Sequence, residues 1–179
     1  MKYIKVTLVF FGIILSLNSY CQKIIINGQE TKRKLTWADF TGKVEKGSSF
    51  NAYTAYNFNT KIGSIKIIGD SVSIIGFEVT LELDPKKSWA KEDKVTDELL
   101  IHEQGHFNLG ILCIKEILSV FHETKFKKSN YNVTLQSIIN DISKKYNDMG
   151  IKYDAETNHS KNKEQQLVWN NFFAEKLSE

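Results

Sequence analysis

A chain of 179 residues, 41% of them hydrophobic, is long enough to bury one core and does not require a second domain. Its formal net charge of +3 carries no basic excess of the kind a nucleic-acid partner needs, and the run Lys125, Lys127, Lys128 reads as the solvated cationic end of a helix. Two cysteines, Cys21 and Cys113, are too few for a disulfide-stapled fold.

Met1 to Cys21 has the layout of a secretory signal peptide: Lys2 and Lys5, the apolar run Val6 to Leu17, then Asn18-Ser19-Tyr20-Cys21. The apolar run falls short of the ~20 residues of a membrane span, so no stable span is expected after the leader is removed. Cleavage is expected near Cys21 and Gln22, giving a secreted or periplasmic protein. A lipid anchor on Cys21 is the alternative, disfavoured by the bulk of Tyr20. Removing the leader takes two lysines and no acid, which lowers the formal charge from +3 to +1. Cys113 is then the remaining thiol and is expected as a small buried hydrophobe.

From Ile24 to Pro85 the pattern is β. Phe50, Ala52, Thr54, Tyr56 and Phe58 alternate with polar or small neighbours, and Phe77, Val79, Leu81 and Leu83 alternate with Glu78, Thr80, Glu82 and Asp84. Ser64 to Ile68 and Val72 to Ile75, separated by Gly69-Asp70, predict a hairpin. Ile24 to Ile26 and Lys34 to Trp37 are weaker strand candidates, and the set is expected to be antiparallel.

Lys91 to Thr124 predicts one long helix. Asn132 to Asn147 predicts a second, with Leu135, Ile138, Ile139, Ile142 and Tyr146 on its apolar side and Gly150 as its stop. Ser160 to Leu177 predicts a third, burying Val168, Trp169, Phe172 and Phe173.

The long helix carries Leu-Leu-Ile-His-Glu-Gln-Gly-His-Phe, a His-Glu-x-x-His spacing at His102, Glu103 and His106. Residues four apart share a helix face, so both imidazoles aim at one point, which suits zinc. Glu103 stands beside that point as general base towards water. Zinc in a catalytic site takes a third protein ligand. His122 lies sixteen residues beyond His106, ~24 Å along a continuous helix, and Glu116 and Glu123 fail in the same way. Cys113 is ~10 Å from the pair by the same rise. His159, in the polar connector Tyr153 to Ser160, is the first candidate, with Asp154 and Glu156 as alternatives. Gly110, four residues after His106, is expected to let another segment approach the site.

Trp37-Ala38-Asp39-Phe40-Thr41-Gly42, Ser88-Trp89, Leu100 to Phe107 and Tyr153-Asp154-x-x-Thr157-x-His159, followed by Gln166 and Trp169, together resemble a bacterial family described as predicted secreted zinc-dependent proteases, domain of unknown function 922. The resemblance covers most of the mature chain and implies a zinc site and hydrolysis. The family often has Gly after this His, where the chain has Ser160.

These readings combine into a single α+β domain over residues 22–179: an N-terminal antiparallel sheet packed on the long motif helix plus two further helices, zincin-like. The expected activity is peptide hydrolysis by zinc on His102, His106 and His159 with Glu103 as base. Phe77 to Leu83 is the expected exposed edge for an extended peptide. A non-catalytic secreted binding module with a structural or vestigial metal site, and a zinc amidase acting on cell-wall peptide, are the rival readings.

Overall fold

A computed structural model describes residues 21–178. The leader expectation for Met1 to Tyr20 lies outside the described residues. Nine strands, β1 Cys21–Ile26, β2 Gln29–Glu30, β3 Ala52–Tyr53, β4 Tyr56–Lys61, β5 Ser64–Ile68, β6 Ser71–Ile75, β7 Glu78–Leu83, β8 Trp89–Ala90 and β9 Phe126–Lys127, accompany helices α1 Asp97–Glu123, α2 Tyr131–Thr157 and α3 Lys163–Ser178. The architecture is α+β, and no helix among the described residues is long and apolar enough to cross a membrane.

The main sheet has the order β2-β1-β7-β4. Its strands are antiparallel except β1 and β7, which run parallel with Cys21 opposite Glu78 and Ile24 opposite Leu81. The sheet is therefore mixed. β7 sits between β1 and β4, so the expectation of Phe77 to Leu83 as an exposed edge is corrected: neighbours take both of its edges. Val79, Leu81 and Leu83 are 0–1% exposed, and Thr80 on the opposite face of the strand is also buried. Asn27-Gly28, both at positive φ, close the β1–β2 hairpin, the turn chemistry that Asn-Gly supplies best. Lys34 to Trp37 forms no strand. Asp39 reaches back to the Thr36 amide (2.8 Å) and Thr36 caps a single helical turn over Trp37–Asp39. The Gly69-Asp70 hairpin forms as expected, with Ile68 opposite Ser71. The expected run from Phe50 to Phe58 breaks after Tyr53 into β3 and β4, and β3 pairs with β8 away from the main sheet.

α1 begins at Asp97, not Lys91, because Thr96 accepts a hydrogen bond from the Leu99 amide (3.1 Å) and so satisfies one free donor of the first turn. α2 does not stop at Gly150 but runs ten residues past Asn147, to Thr157. A mid-helix glycine costs only ~1 kcal/mol against alanine, and the extension buries Tyr153 and Thr157 completely. α3 starts at Lys163, with the Asn162 side chain accepting from the Gln165 amide (3.2 Å), so Asn162 takes the role expected of Ser160. Trp169 and Phe173 face inward and Val168 is 58% exposed.

One core packs α1 on the sheet through Phe77, Val79, Leu81, Phe107, Ile114 and Ile117. A smaller one joins the three helices through Leu109, Leu112, Tyr153, Trp169 and Phe173. A Cβ on Gly110 would lie 3.0 Å from Leu81 and 3.2 Å from Tyr56. This glycine seats α1 on the sheet, a correction to the expected approach at the site.

Candidate metal site

The second core fixes the motif helix against α2. A Cβ on Gly105 would lie 2.6 Å from Tyr153 Cζ, so only glycine lets the ring rest on the α1 backbone. There the Tyr153 hydroxyl donates to the His102 carbonyl (3.0 Å) and the ring stacks on the His102 imidazole at 4.6 Å between centroids. Burial pushes the Tyr153 phenol well above its usual range, which keeps it a donor. Gly105→Ala should therefore destabilise the fold by about 2 kcal/mol, since overpacking costs ~1–3 kcal/mol and Tyr153, enclosed by Trp169 and Phe173, has no room to retreat. Urea unfolding checks this, and a variant as stable as the wild type would show that the ring can move.

His102 is 2% exposed and has partners on both ring nitrogens. Gln166 sends its amide nitrogen to the Tyr153 hydroxyl (2.8 Å) and to Asn170 (3.0 Å), so its Oε1 is left to accept from His102 Nδ1 at 3.2 Å. This assigns the proton to Nδ1 and turns the Nε2 lone pair to the cleft. The Thr157 hydroxyl, which donates to the Tyr153 carbonyl (2.6 Å), lies 3.4 Å from the same Nδ1.

At the cleft, one oxygen gathers the histidines. Asp154 Oδ1 lies 3.1 Å from His102 Nε2, 3.0 Å from His106 Nε2 and 3.2 Å from His159 Nδ1. An imidazole that donates from Nδ1 can meet a carboxylate at Nε2 only with a positive charge between them, a proton or a metal ion. Burial alone would raise the Asp154 carboxyl, but the imidazoles of His102 and His106 set against its Oδ1 outweigh it and hold the group well below the usual carboxylate range. Burial likewise opposes charge on His106, while its hydrogen bond to Asp154 and the charge of Glu103 raise its pKa. His102, Asp154 and His159 offer ligand atoms all within 4.8 Å of one another, a group able to hold a metal ion. His106 stands outside that group and joins it through Asp154.

His159 reaches the site from a strained turn. Asn158, His159 and Ser160 all have positive φ (47°, 50° and 76°). The His159 amide donates back to the Asp154 carbonyl (3.1 Å), and its ring, half exposed, meets the edge of Phe50. A left-handed residue other than glycine costs ~1–2 kcal/mol, which explains why glycine suits the position after this histidine. Ser160→Gly should raise stability by about 0.5–1 kcal/mol, less than the full strain because glycine loses more chain entropy on folding. A lower urea midpoint would count against strain at Ser160.

Glu103 is 3% exposed, and its Oε2 accepts a 2.6 Å hydrogen bond from Thr54, the residue at the break between β3 and β4. The cleft here has a volume of about 310 Å³ and is lined by residues 49–54 on one side and by the histidines, Glu103 and Asp154 on the other. A larger trough of about 880 Å³, between α1, α3 and residues 32–35, holds none of these groups.

The other candidates lie elsewhere. His122 is in the last turn of α1. Glu116 pairs with Lys145 and Tyr146. Glu156 accepts from Trp169 Nε1 (2.8 Å) and so braces α2 against α3. Cys113 is fully buried and burial pushes its thiol up to about 11, so it is inert.

Residues 26–160 match the model of a family described as "Bacterial protein of unknown function (DUF922)". No curated protein and no solved structure matches the chain.

Proposed function

We propose, for a chain that belongs to the DUF922 family of bacterial proteins, that it is a zinc-dependent hydrolase of peptide bonds, exported by the leader pattern of residues 1–21. The observation that carries the reading is the convergence of ring nitrogens from α1 and from the turn after α2 on one oxygen of Asp154, with a buried carboxylate, Glu103, beside it. Imidazole nitrogen with one carboxylate oxygen is a donor set that zinc prefers to harder cations such as magnesium. His102, His106 and His159 are the imidazoles proposed to hold it.

When bound, zinc lowers the pKa of a coordinated water towards ~7 and polarises a carbonyl. The chain's own groups do the rest. Glu103, fixed at Oε2 by Thr54, takes a proton from the attacking water at its other oxygen and delivers it to the leaving amine. Gln166 holds His102 in the tautomer with Nε2 free. The substrate's seat is the segment 49–54 that lines the cleft. β3 is paired on one side by β8, and no strand among the described residues pairs with its other side, the place this reading gives to an extended peptide. That segment replaces β7 in the role of edge.

The test is metal analysis of the exported protein, its first residue located by N-terminal sequencing. About one zinc per chain and a start near Gln22 are expected, with cleavage of unfolded casein abolished by a chelator and restored by zinc. Protein that refolds fully without holding zinc would sink the reading.

A further inference from the structure

We propose that Asp154 is itself a ligand of the ion assigned above to His102, His106 and His159, so that at rest a carboxylate occupies the position a hydrolytic site leaves to water. The proposal rests on the metal reading above and adds to it a latch.

The argument is which side of each ring the carboxylate takes. A partner that merely orients a metal-bound imidazole contacts the nitrogen turned away from the ion. Gln166 does this at His102 Nδ1. Asp154 stands at the opposite nitrogen, Nε2, and at Nε2 of His106 as well. It is therefore on the ion's side of both rings of the motif.

Distance supports the same assignment. Ligand atoms bound tetrahedrally at ~2.0–2.1 Å lie ~3.3 Å from one another. Asp154 Oδ1 is 3.1, 3.0 and 3.2 Å from the three ring nitrogens, the spacing of one ligand atom to its neighbours. Asp154 also ties the site together through its backbone, since its carbonyl accepts the His159 amide at 3.1 Å.

Once His106, which touches this group through Asp154, is drawn onto the same ion, three imidazoles and a carboxylate close the site. Hydrolysis then requires Asp154 Oδ1 to leave, which a short side chain with 29% exposure can do by rotation. His102 has no such freedom, pinned between Tyr153 and Gln166. Substrate entering beside residues 49–54 is what would displace the carboxylate.

The test uses the purified full chain, loaded with zinc or cobalt, against Asp154→Asn, Asp154→Ala and the outer-partner control Gln166→Leu. Zinc affinity is measured by competition with a chromophoric chelator. Loss of an outer partner costs ~10–100-fold, so Asp154→Asn should exceed that, and Gln166→Leu should fall inside it. The visible bands of cobalt should shift in both Asp154 variants and stay in place in Gln166→Leu. Acetohydroxamate should perturb the cobalt bands of Asp154→Ala at a lower concentration than the wild type needs, since a closed resting site lowers apparent affinity by its open fraction. If Asp154→Ala does not fold, the near-isosteric Asp154→Asn carries the affinity and spectral arms alone. A loss of affinity in Asp154→Asn no greater than the ~100-fold of an outer partner, or unshifted bands, would overturn the proposal and leave the zinc reading standing. Equal hydroxamate response in wild type and Asp154→Ala would overturn the latch. A wild type that binds no zinc would remove both readings.

Discussion

Glu103→Gln should keep zinc and fold while losing hydrolysis by ~100-fold to 10,000-fold, the range in which a positioned general base contributes. The amide has the shape of the carboxylate, and its oxygen can accept the same Thr54 hydroxyl bond now made at 2.6 Å. What it lacks is a lone pair basic enough to take a proton from water. Glu103 bonds to Thr54, while the ring nitrogens of His102 and His106 meet Gln166, Thr157 and Asp154. Zinc per chain should therefore be unchanged. Both quantities are read on one preparation, and wild-type cleavage of casein by this variant would mean that another group is the base.

The features legible in the chain were those with a short period. His102, Glu103 and His106 declare themselves because a helix turns four-residue spacing into one face. The Gly69-Asp70 hairpin is equally local. Pairing between distant segments left no such mark: β1 runs parallel to β7 because the chain crosses over between them, and nothing in Ile24 to Ile26 states that partner. Tertiary burial overrode local signals at Gly150, where α2 continues in order to bury Tyr153 and Thr157.

Within the site, the partners of the histidines were the hidden part. Thr54 reads as one more residue of an alternating strand until the strand breaks and delivers its hydroxyl to Glu103. Gly105 carried a usable signal, a glycine inside an otherwise strong helical motif, which a close helix contact accounts for. Asp154 and His159 stood in the sequence as alternatives. The turn brings both to the same point, because His159 lies five residues after Asp154 and the left-handed residues fold it back over the end of α2.

His159→Ala should lose tight zinc binding at neutral pH, by more than the ~10–100-fold expected of an outer partner. The fold should survive, since the ring is half exposed and, among the described residues, meets Asp154 and the edge of Phe50 at the surface of the cleft. His122→Ala is the control: that residue sits in the last turn of α1, ~24 Å along the helix from His106, and its loss should leave zinc untouched. Glu156→Ala separates the remaining carboxylate, because Glu156 faces Trp169 and its removal should loosen α3 without releasing metal. Zinc per chain after dialysis against a weak chelator distinguishes the three. Full occupancy in His159→Ala would refute the assignment and return the imidazole to the solvent-facing turn, with Asp154 carrying the ion beside His102 and His106.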